Sequence, residues 1–210
     1  MKPFETLLQK SVAEHGHLCA GQVIGVRMAM TGCKLIGIEE PKDEKWRKKI
    51  IAYVEIDRCA TDAIQSVTGC RMGKRTLKFC NFGINAATFL NLDTKKAYRI
   101  LSTEESRKIA PRYAPEETNL KRQQLIGYQR MPDDELFNIQ QVQVHLEEWE
   151  MPGPPRRKAV CMRCGQVVRD RREVKQNNEV LCRICAREAY YIPYMSEAHD
   201  SQLLERENVI

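Results

Sequence analysis

The sequence predicts an α+β fold in which a mixed helix and sheet core is followed by a small cysteine-rich module. Apolar residues recur at helical spacing near the N-terminus, and β-branched and aromatic runs lie between positions 51 and 101. Two Cys-x-x-Cys pairs follow a proline-rich stretch at 151–155. A chain of 210 residues is long enough for one domain with a full core and one small appended module.

The first two predicted elements are helices. Residues 4–14 place apolar side chains at helical spacing, and residues 21–31 place small residues at intervals of four, beginning at Gly21. Residues four apart share one helix face, so this face allows another backbone to approach closely. We expect Gly32 to end the second helix.

The central region alternates helices and strands. Residues 46–50 are typical of the end of an amphipathic helix, and residues 51–56 predict a buried strand that leads into Cys59. Thr61 or Asp62 caps a helix that runs through Val67 and ends at Thr68-Gly69. Further strands are predicted at 77–82, 86–92 and 97–101.

The rest of the core is predicted from caps, breaks and alternation. Residues 102–105 form a capping box that opens a short helix, and 111–115 is a break. The later predicted elements are a helix at 116–130, a short helix or turn at 131–137 and an edge strand at 139–146. The predicted domains are a core at 1–150, a stiff linker at 151–158, a Cys-pair module at 159–195 and a tail at 196–210.

Composition excludes several classes of protein. Hydrophobic residues make up 42% of the chain and charged residues 30%, which is ordinary for a soluble globular protein. No apolar run is long enough to span a bilayer and the first residues lack a signal-peptide core, so we expect a cytoplasmic protein without a membrane partner. The nine cysteines are an odd number, which favours metal binding or thiol chemistry over a disulfide framework.

The C-terminal module carries the most specific motif. Cys161-Met162-Arg163-Cys164 and Cys182-Arg183-Ile184-Cys185 are separated by seventeen residues. Each pair can place two thiolates on one ion, and a hairpin with its tip at Asn177-Asn178 would bring the pairs together. The spacing therefore predicts a structural Cys₄ zinc ribbon, with a redox dithiol pair as the alternative.

The positive charge of the chain lies in this module. The net charge is +6, and residues 156–188 contain ten Arg or Lys against four acids, so the remainder is neutral. A basic zinc ribbon can bind nucleic acid through phosphates, yet few aromatic residues lie among these arginines. We therefore favour a solvated or protein-docking face over nucleic acid.

A second cluster lies near the N-terminus, in His15-Gly16-His17-Leu18-Cys19-Ala20-Gly21. Imidazole and thiolate together suit zinc, another transition metal, or an activated thiol. In an extended segment positions 15, 17 and 19 point the same way, whereas in a helix His15 and Cys19 share a face and His17 does not. The spacing alone leaves open which histidine is a ligand.

Two further cysteines are candidates for this site. Cys59 follows a predicted strand and precedes a helix cap, where the helix dipole is expected to lower the pKa of a thiol. Cys70 lies in a glycine-bracketed turn with Arg71 and Lys74, which could carry a second reactive thiol or hold an anionic ligand. Cys33 and Cys80 lie among apolar neighbours and are expected in the core.

These residues resemble the E-subunit family of formylmethanofuran dehydrogenase. The resemblance rests on the loop at 15–21, on Asp57-Arg58-Cys59-Ala60-Thr61-Asp62-Ala63-Ile64-Gln65 and on Thr68-Gly69-Cys70, with further matches at 25–29, 73–74 and 86–89. It implies an α+β core, a homodimer and a metal bound near the His/Cys motif. It also implies association with a molybdenum or tungsten formylmethanofuran dehydrogenase, whose pterin-binding segment is not visible in this sequence.

Three hypotheses follow. In the first, an accessory protein holds a transition metal, zinc or iron, at His17, Cys19 and Cys59, with a fourth position open. His15 and Cys70 are then neighbours, and Lys74 or Arg71 neutralises an anionic ligand. In the second, the metal is only structural and the ribbon docks on a dehydrogenase complex or nucleic acid. In the third, Cys59 is a nucleophile with a histidine base. The sequence leaves open whether the chain is an enzyme.

Overall fold

A computed structural model describes residues 1–194 as two compact units, Met1–Gly153 and a second that begins at Pro154. The first unit is a mixed helix and sheet domain, which confirms the predicted α+β class. The predicted tail at 196–210 and the last residue of the predicted module, Met195, lie outside the described residues. Among the described residues no helix is long and apolar enough to cross a membrane.

Three helices of the first unit pack against one another, and the second of them also lies on the sheet. They are α1 (Phe4–His15), α2 (Ala20–Leu35) and α3 (Cys59–Thr68). The small face predicted on the second helix is confirmed, because a Cβ at Gly25 would lie 2.4 Å from the carbonyl oxygen of Ala60. The two helices therefore pack at backbone distance, which places the N-terminus of α2 beside that of α3.

The prediction that Gly32 ends the second helix is wrong, because α2 continues to Leu35. A Cβ at Gly32 would lie 2.2 Å from Cδ2 of Phe89. This glycine is therefore present to admit the Phe89 ring against the helix. The chain turns later, where Gly37 adopts a φ of 76°.

Five strands form one sheet in the order β2-β1-β3-β4-β5, in which β1 and β2 are parallel and the other pairs antiparallel. Ala52 in β1 pairs with Leu77 in β2 and with Phe89 in β3, so β1 lies inside the sheet. The strands are β1 (Ile50–Val54), β2 (Leu77–Phe79), β3 (Ala86–Asn91), β4 (Ala97–Ser102) and β5 (Phe137–Gln141).

The segment before β1 is not the predicted helix end. It forms only a 3₁₀ turn at Glu44–Trp46, after which Lys48 adopts a left-handed φ of 60° and the strand begins at Ile50. A β-branched residue in that position favours the strand over another helical turn. Other 3₁₀ turns lie at Met72–Lys74, Ala110–Tyr113 and Glu148–Glu150.

The remaining helices follow their caps. In α4 (Glu104–Ile109) the Thr103 hydroxyl accepts from the backbone N–H of Ser106, so the cap is one residue later than the predicted box begins. The helix predicted from 116 begins only at Leu120, because Asn119 caps it. These helices are α4, α5 (Leu120–Arg130) and α6 (Asp133–Leu136).

The predicted edge strand is confirmed in place but not in its bounds, because β5 begins at Phe137 and ends at Gln141. The alternating residues beyond it have another role. Val142, Val144 and Leu146 pack on a small buried cluster at Ile51, Leu90 and Ala97. Alternation in this segment thus reflects packing rather than pairing with a neighbouring strand.

The second unit contains two short hairpins. The pairing predicted between 166–169 and 180–181 is wrong, because Val167–Arg169 pairs with Lys158–Val160 around the first Cys pair. Asn177 and Asn178 form the predicted tip, with φ values of 49° and 64°, but of the second hairpin only. The four strands are β6 (Lys158–Val160), β7 (Val167–Arg169), β8 (Val174–Gln176) and β9 (Glu179–Leu181).

Candidate metal centres

The N-terminal loop brings three donor groups together. The side-chain donor atoms of His15, His17 and Cys19 lie within 4.8 Å of one another. His15 is the last residue of α1, Gly16 turns the chain with a φ of 99°, and Cys19 is the N-cap residue of α2. The turn at Gly16 makes the three groups converge, an arrangement that neither a straight strand nor a continuous helix provides.

His15 is held as a metal ligand is held. Its Nδ1 lies 2.9 Å from Oδ2 of Asp62, while its Nε2 is buried and has no hydrogen-bond partner within the part of the chain that the structure describes. Histidines that bind metal commonly donate the other ring N–H to a carboxylate, which fixes the ring and its tautomer. An orphaned buried nitrogen within a set of three donors therefore fits a metal ion.

His17 differs from His15 in exposure. Its side chain is exposed, and its ring centroid lies 4.7 Å from that of His15 at an interplanar angle of 39°. Cys19 is half-buried. The cluster thus has one fixed imidazole, one exposed imidazole and one thiol at the loop between α1 and α2.

Cys59 lies beside this set without belonging to it. It is the first residue of α3, and a Cβ at Gly21 would lie 2.8 Å from its Cβ and 3.7 Å from Sγ of Cys19. Burial raises the pKa of the Cys59 thiol, and the hydrogen-bonded Cys19 thiol raises it further. The expectation of a lowered pKa is therefore wrong, because burial and a second thiol outweigh the helix N-terminus.

Two residues that the sequence did not single out as site residues hold this geometry. Asp62 lies one helical turn after Cys59 and fixes His15. Gln22 is fully buried, accepts a hydrogen bond from the Ser11 hydroxyl and donates from Nε2 to the carbonyl oxygen of Cys59 at 2.7 Å. Spacing would have revealed Asp62, since positions i and i+3 share a helix face; a glutamine in an apolar helix was the only signal for Gln22.

An open hollow gives access to the site. It has a volume of about 420 Å³ and includes one face of His15 and of Cys59. The other lining residues are Asp57, Arg58, Thr61 and Asp62. A small ligand can therefore reach the donors from solvent.

Cys70 and Lys74 lie elsewhere. Cys59 begins α3 and Cys70 follows its end, so a helix of ten residues, about 15 Å long, separates them. Cys70 is 3% exposed, its Sγ lies 3.7 Å from the carbonyl oxygen of Ile50, and burial raises the pKa of its thiol. The structure brings together His15, His17, Cys19 and Cys59, but not Cys70 or Lys74. Cys33 is buried in the core and Cys80 is half-buried.

The second unit holds four cysteines in one cluster. The Sγ atoms of Cys161, Cys164, Cys182 and Cys185 lie within 4.8 Å of one another, and those of Cys164 and Cys182 are 3.7 Å apart. The backbone N–H of Cys185 donates to Sγ of Cys182 at 3.4 Å. Four thiols in this arrangement are consistent with a zinc ribbon.

Comparison with known proteins agrees with this architecture. The chain is similar to a protein of Archaeoglobus fulgidus described as a probable S-adenosyl-L-methionine-binding protein, with 33% identity over 100 residues. That match covers 48% of this chain and 27% of the relative, so the chain spans little more than a quarter of that protein.

The fold is also shared with a solved structure. A crystal structure of an FmdE-like protein of tungsten formylmethanofuran dehydrogenase, from Syntrophus aciditrophicus, matches with a TM-score of 0.59 and 18% identity. The match covers 90% of this chain and 95% of that one. The family described as FmdE, molybdenum formylmethanofuran dehydrogenase operon, matches residues 14–138, which is more than half of the chain and includes the His/Cys loop. The chain therefore belongs to the FmdE family.

Proposed function

We propose that this chain is a cytoplasmic, metal-binding accessory protein that acts with a molybdenum or tungsten formylmethanofuran dehydrogenase. In this proposal the core holds a transition metal, zinc, and the ribbon holds a structural zinc. The observation that carries the proposal is the buried, unpartnered Nε2 of His15, whose Nδ1 is fixed by Asp62.

The ligands that we propose for the core metal are His15, His17 and Cys19. Two imidazoles and one thiolate suit zinc, and three protein ligands leave a position open. Cys59 lies beside Cys19 and is proposed to serve either as the fourth ligand or as the group nearest the open position. A zinc ion with an open position would polarise a bound carbonyl or water.

The chain's own residues would then orient and limit that chemistry. Asp62 keeps the His15 ring in place, and Gln22 holds the start of α3, and with it Cys59, beside α2. The partner proposal comes from family membership, and a homodimer is proposed on the same ground. The alternative hypotheses, a module with only structural metal and a metal-free nucleophile at Cys59, make different predictions about metal content.

Metal content of the full chain purified without added metal tests the proposal. We expect two ions per chain, falling to one for Cys19→Ala and to one for Cys161→Ala in the ribbon. A Cys33→Ala variant is the matched control, since its thiol is buried far from either set of donors, and it should keep both ions. A single ion per chain that Cys19→Ala leaves unchanged would contradict the core metal.

A further inference from the structure

A cleft at the far end of α3 is separate from the metal cluster and is lined mainly by basic side chains. It has a volume of about 450 Å³, within the range of roughly 300–1,000 Å³ typical of small-molecule sites. Six basic side chains line it against three carboxylates. The basic residues are Lys10, Lys42, Arg47, Lys48, Arg71 and Lys74, and the acids are Glu14, Asp43 and Glu44.

Most of these cations lack a carboxylate partner among the described residues. Arg47 pairs with Glu44 at 2.8 Å and Lys10 lies 3.7 Å from Glu14. Arg71 donates to two backbone carbonyl oxygens, those of Gln65 and Cys70. Within residues 1–194, in contrast, no salt bridge is formed by Lys42, Lys48 or Lys74.

Two lysines of the cleft are held against each other. Burial, and next the adjacent Lys10 ammonium, lower the pKa of Lys42 to about 8. Glu14 faces both lysines, but its carboxylate is also engaged by the Ser66 hydroxyl, and this hydrogen bond is the main reason that its pKa is lowered. A bound anion would relieve the repulsion between the two ammonium groups, and Lys42 is exposed enough for an anion to reach it.

The cleft also offers an unused neutral donor. Trp46 lines it, and its indole N–H is buried with no acceptor among the residues that the structure describes. Buried indole N–H groups usually have a partner. Donors therefore come from α1, from the segment that contains Lys42 and Trp46, and from the turn after α3.

The geometry points to a site for a small phosphorylated molecule in this cleft, gripped by Lys10, Lys42 and Lys74. Lysine ammonium groups bind phosphate as point charges, and several of them around one concave surface favour a ligand with more than one negative charge. The cleft encloses a volume suited to a small molecule, which favours such a ligand over a nucleic-acid strand. This site is independent of the proposed core metal, because α3 separates the two.

Calorimetric titration of the full chain with inorganic pyrophosphate tests the site. We expect saturable binding with a dissociation constant below about 1 mM at low salt, and at least about tenfold weaker binding for the double variant Lys10→Gln, Lys42→Gln. The control is Lys34→Gln with Lys108→Gln, which removes the same charge from exposed positions outside the cleft and should retain affinity within about twofold. Cys19→Ala should bind pyrophosphate normally.

Tryptophan emission gives a second readout. The chain has two tryptophans, so a Trp149→Phe background leaves Trp46 as the reporter. Its emission should change on pyrophosphate addition and stay constant in the Lys10→Gln, Lys42→Gln variant. Absence of saturation at 10 mM pyrophosphate, roughly ten times the expected limit, would overturn the site. So would an equal loss in the control pair, or a single-stranded oligonucleotide that binds more tightly than pyrophosphate and displaces it.

Discussion

The two candidate metal sites are built in different ways. In the ribbon, all four donors come from two Cys-x-x-Cys pairs that local turns bring together. In the core, donors come from one loop, while the carboxylate that fixes His15 comes from a helix 47 residues later. The ribbon is thus held together by its own site, whereas the core site depends on the packing of α2 on α3.

The largest expected effect separates the sites by their role in folding. Cys182→Ser should unfold the ribbon, since structural zinc in such modules contributes on the order of 10–16 kcal/mol that a small unit cannot replace. The core should stay folded. Limited proteolysis with mass spectrometry checks this: cleavage should rise within 158–188 and not within 4–130. A protected ribbon in this variant would show that the module folds without metal.

Packing between the helices should matter for the core site alone. Gly25→Ala places a Cβ 2.4 Å from the carbonyl oxygen of Ala60, so we expect the free energy of unfolding of the core to fall by about 2–4 kcal/mol. Gly73→Ala is the matched control, because its Cβ would meet nothing within 4 Å. Denaturant unfolding followed by circular dichroism compares the two. Equal stability of both variants would contradict the close packing of α2 and α3.

The carboxylate behind His15 sharpens the comparison at the level of the metal. Asp62→Asn should weaken metal binding in the core by about 10–100-fold and leave the ribbon ion in place, since a partner of this kind tunes ligand orientation and basicity. Asp57→Asn removes the same charge from the same hollow without touching His15, so it serves as the control. Competition with a chromophoric chelator measures both. An equal effect of the two substitutions would reduce the role of Asp62 to general charge.

The smallest expected effect concerns a cysteine that lies in neither site. Cys70→Ala should keep two metal ions per chain and cost about 1 kcal/mol of stability, because a buried side chain is shortened. Elemental analysis and thermal unfolding check the two parts of this prediction. Loss of an ion from this variant would place Cys70 in the metal site.

Local patterns predicted the elements and the ribbon, but not the partners across the core. The Cys-x-x-Cys spacing is a local signal, so the four-cysteine cluster could be read directly from sequence. Gly32 was misread as a helix end because the reason for it, the Phe89 ring, lies on a distant strand. In the core site, the loop was visible, but the pairing of His15 with Asp62 depends on how α1 meets α3.

Cys70 illustrates the same limit. Its turn, with Arg71 and Lys74, carries residues suited to a site, and sequence offered no measure of its distance from the histidines. A helix of ten residues between Cys59 and Cys70 sets that distance. The lysine near this turn belongs instead to the basic cleft, together with residues from α1 and the segment before β1.

The most direct test of the core metal is X-ray absorption at the zinc edge of the full chain loaded with zinc. The account predicts two zinc ions per chain, with imidazole nitrogen scattering beside the sulfur of the ribbon. That nitrogen signal should fall sharply in His15→Ala. One zinc ion per chain with sulfur ligands only, unchanged in His15→Ala, would contradict the account.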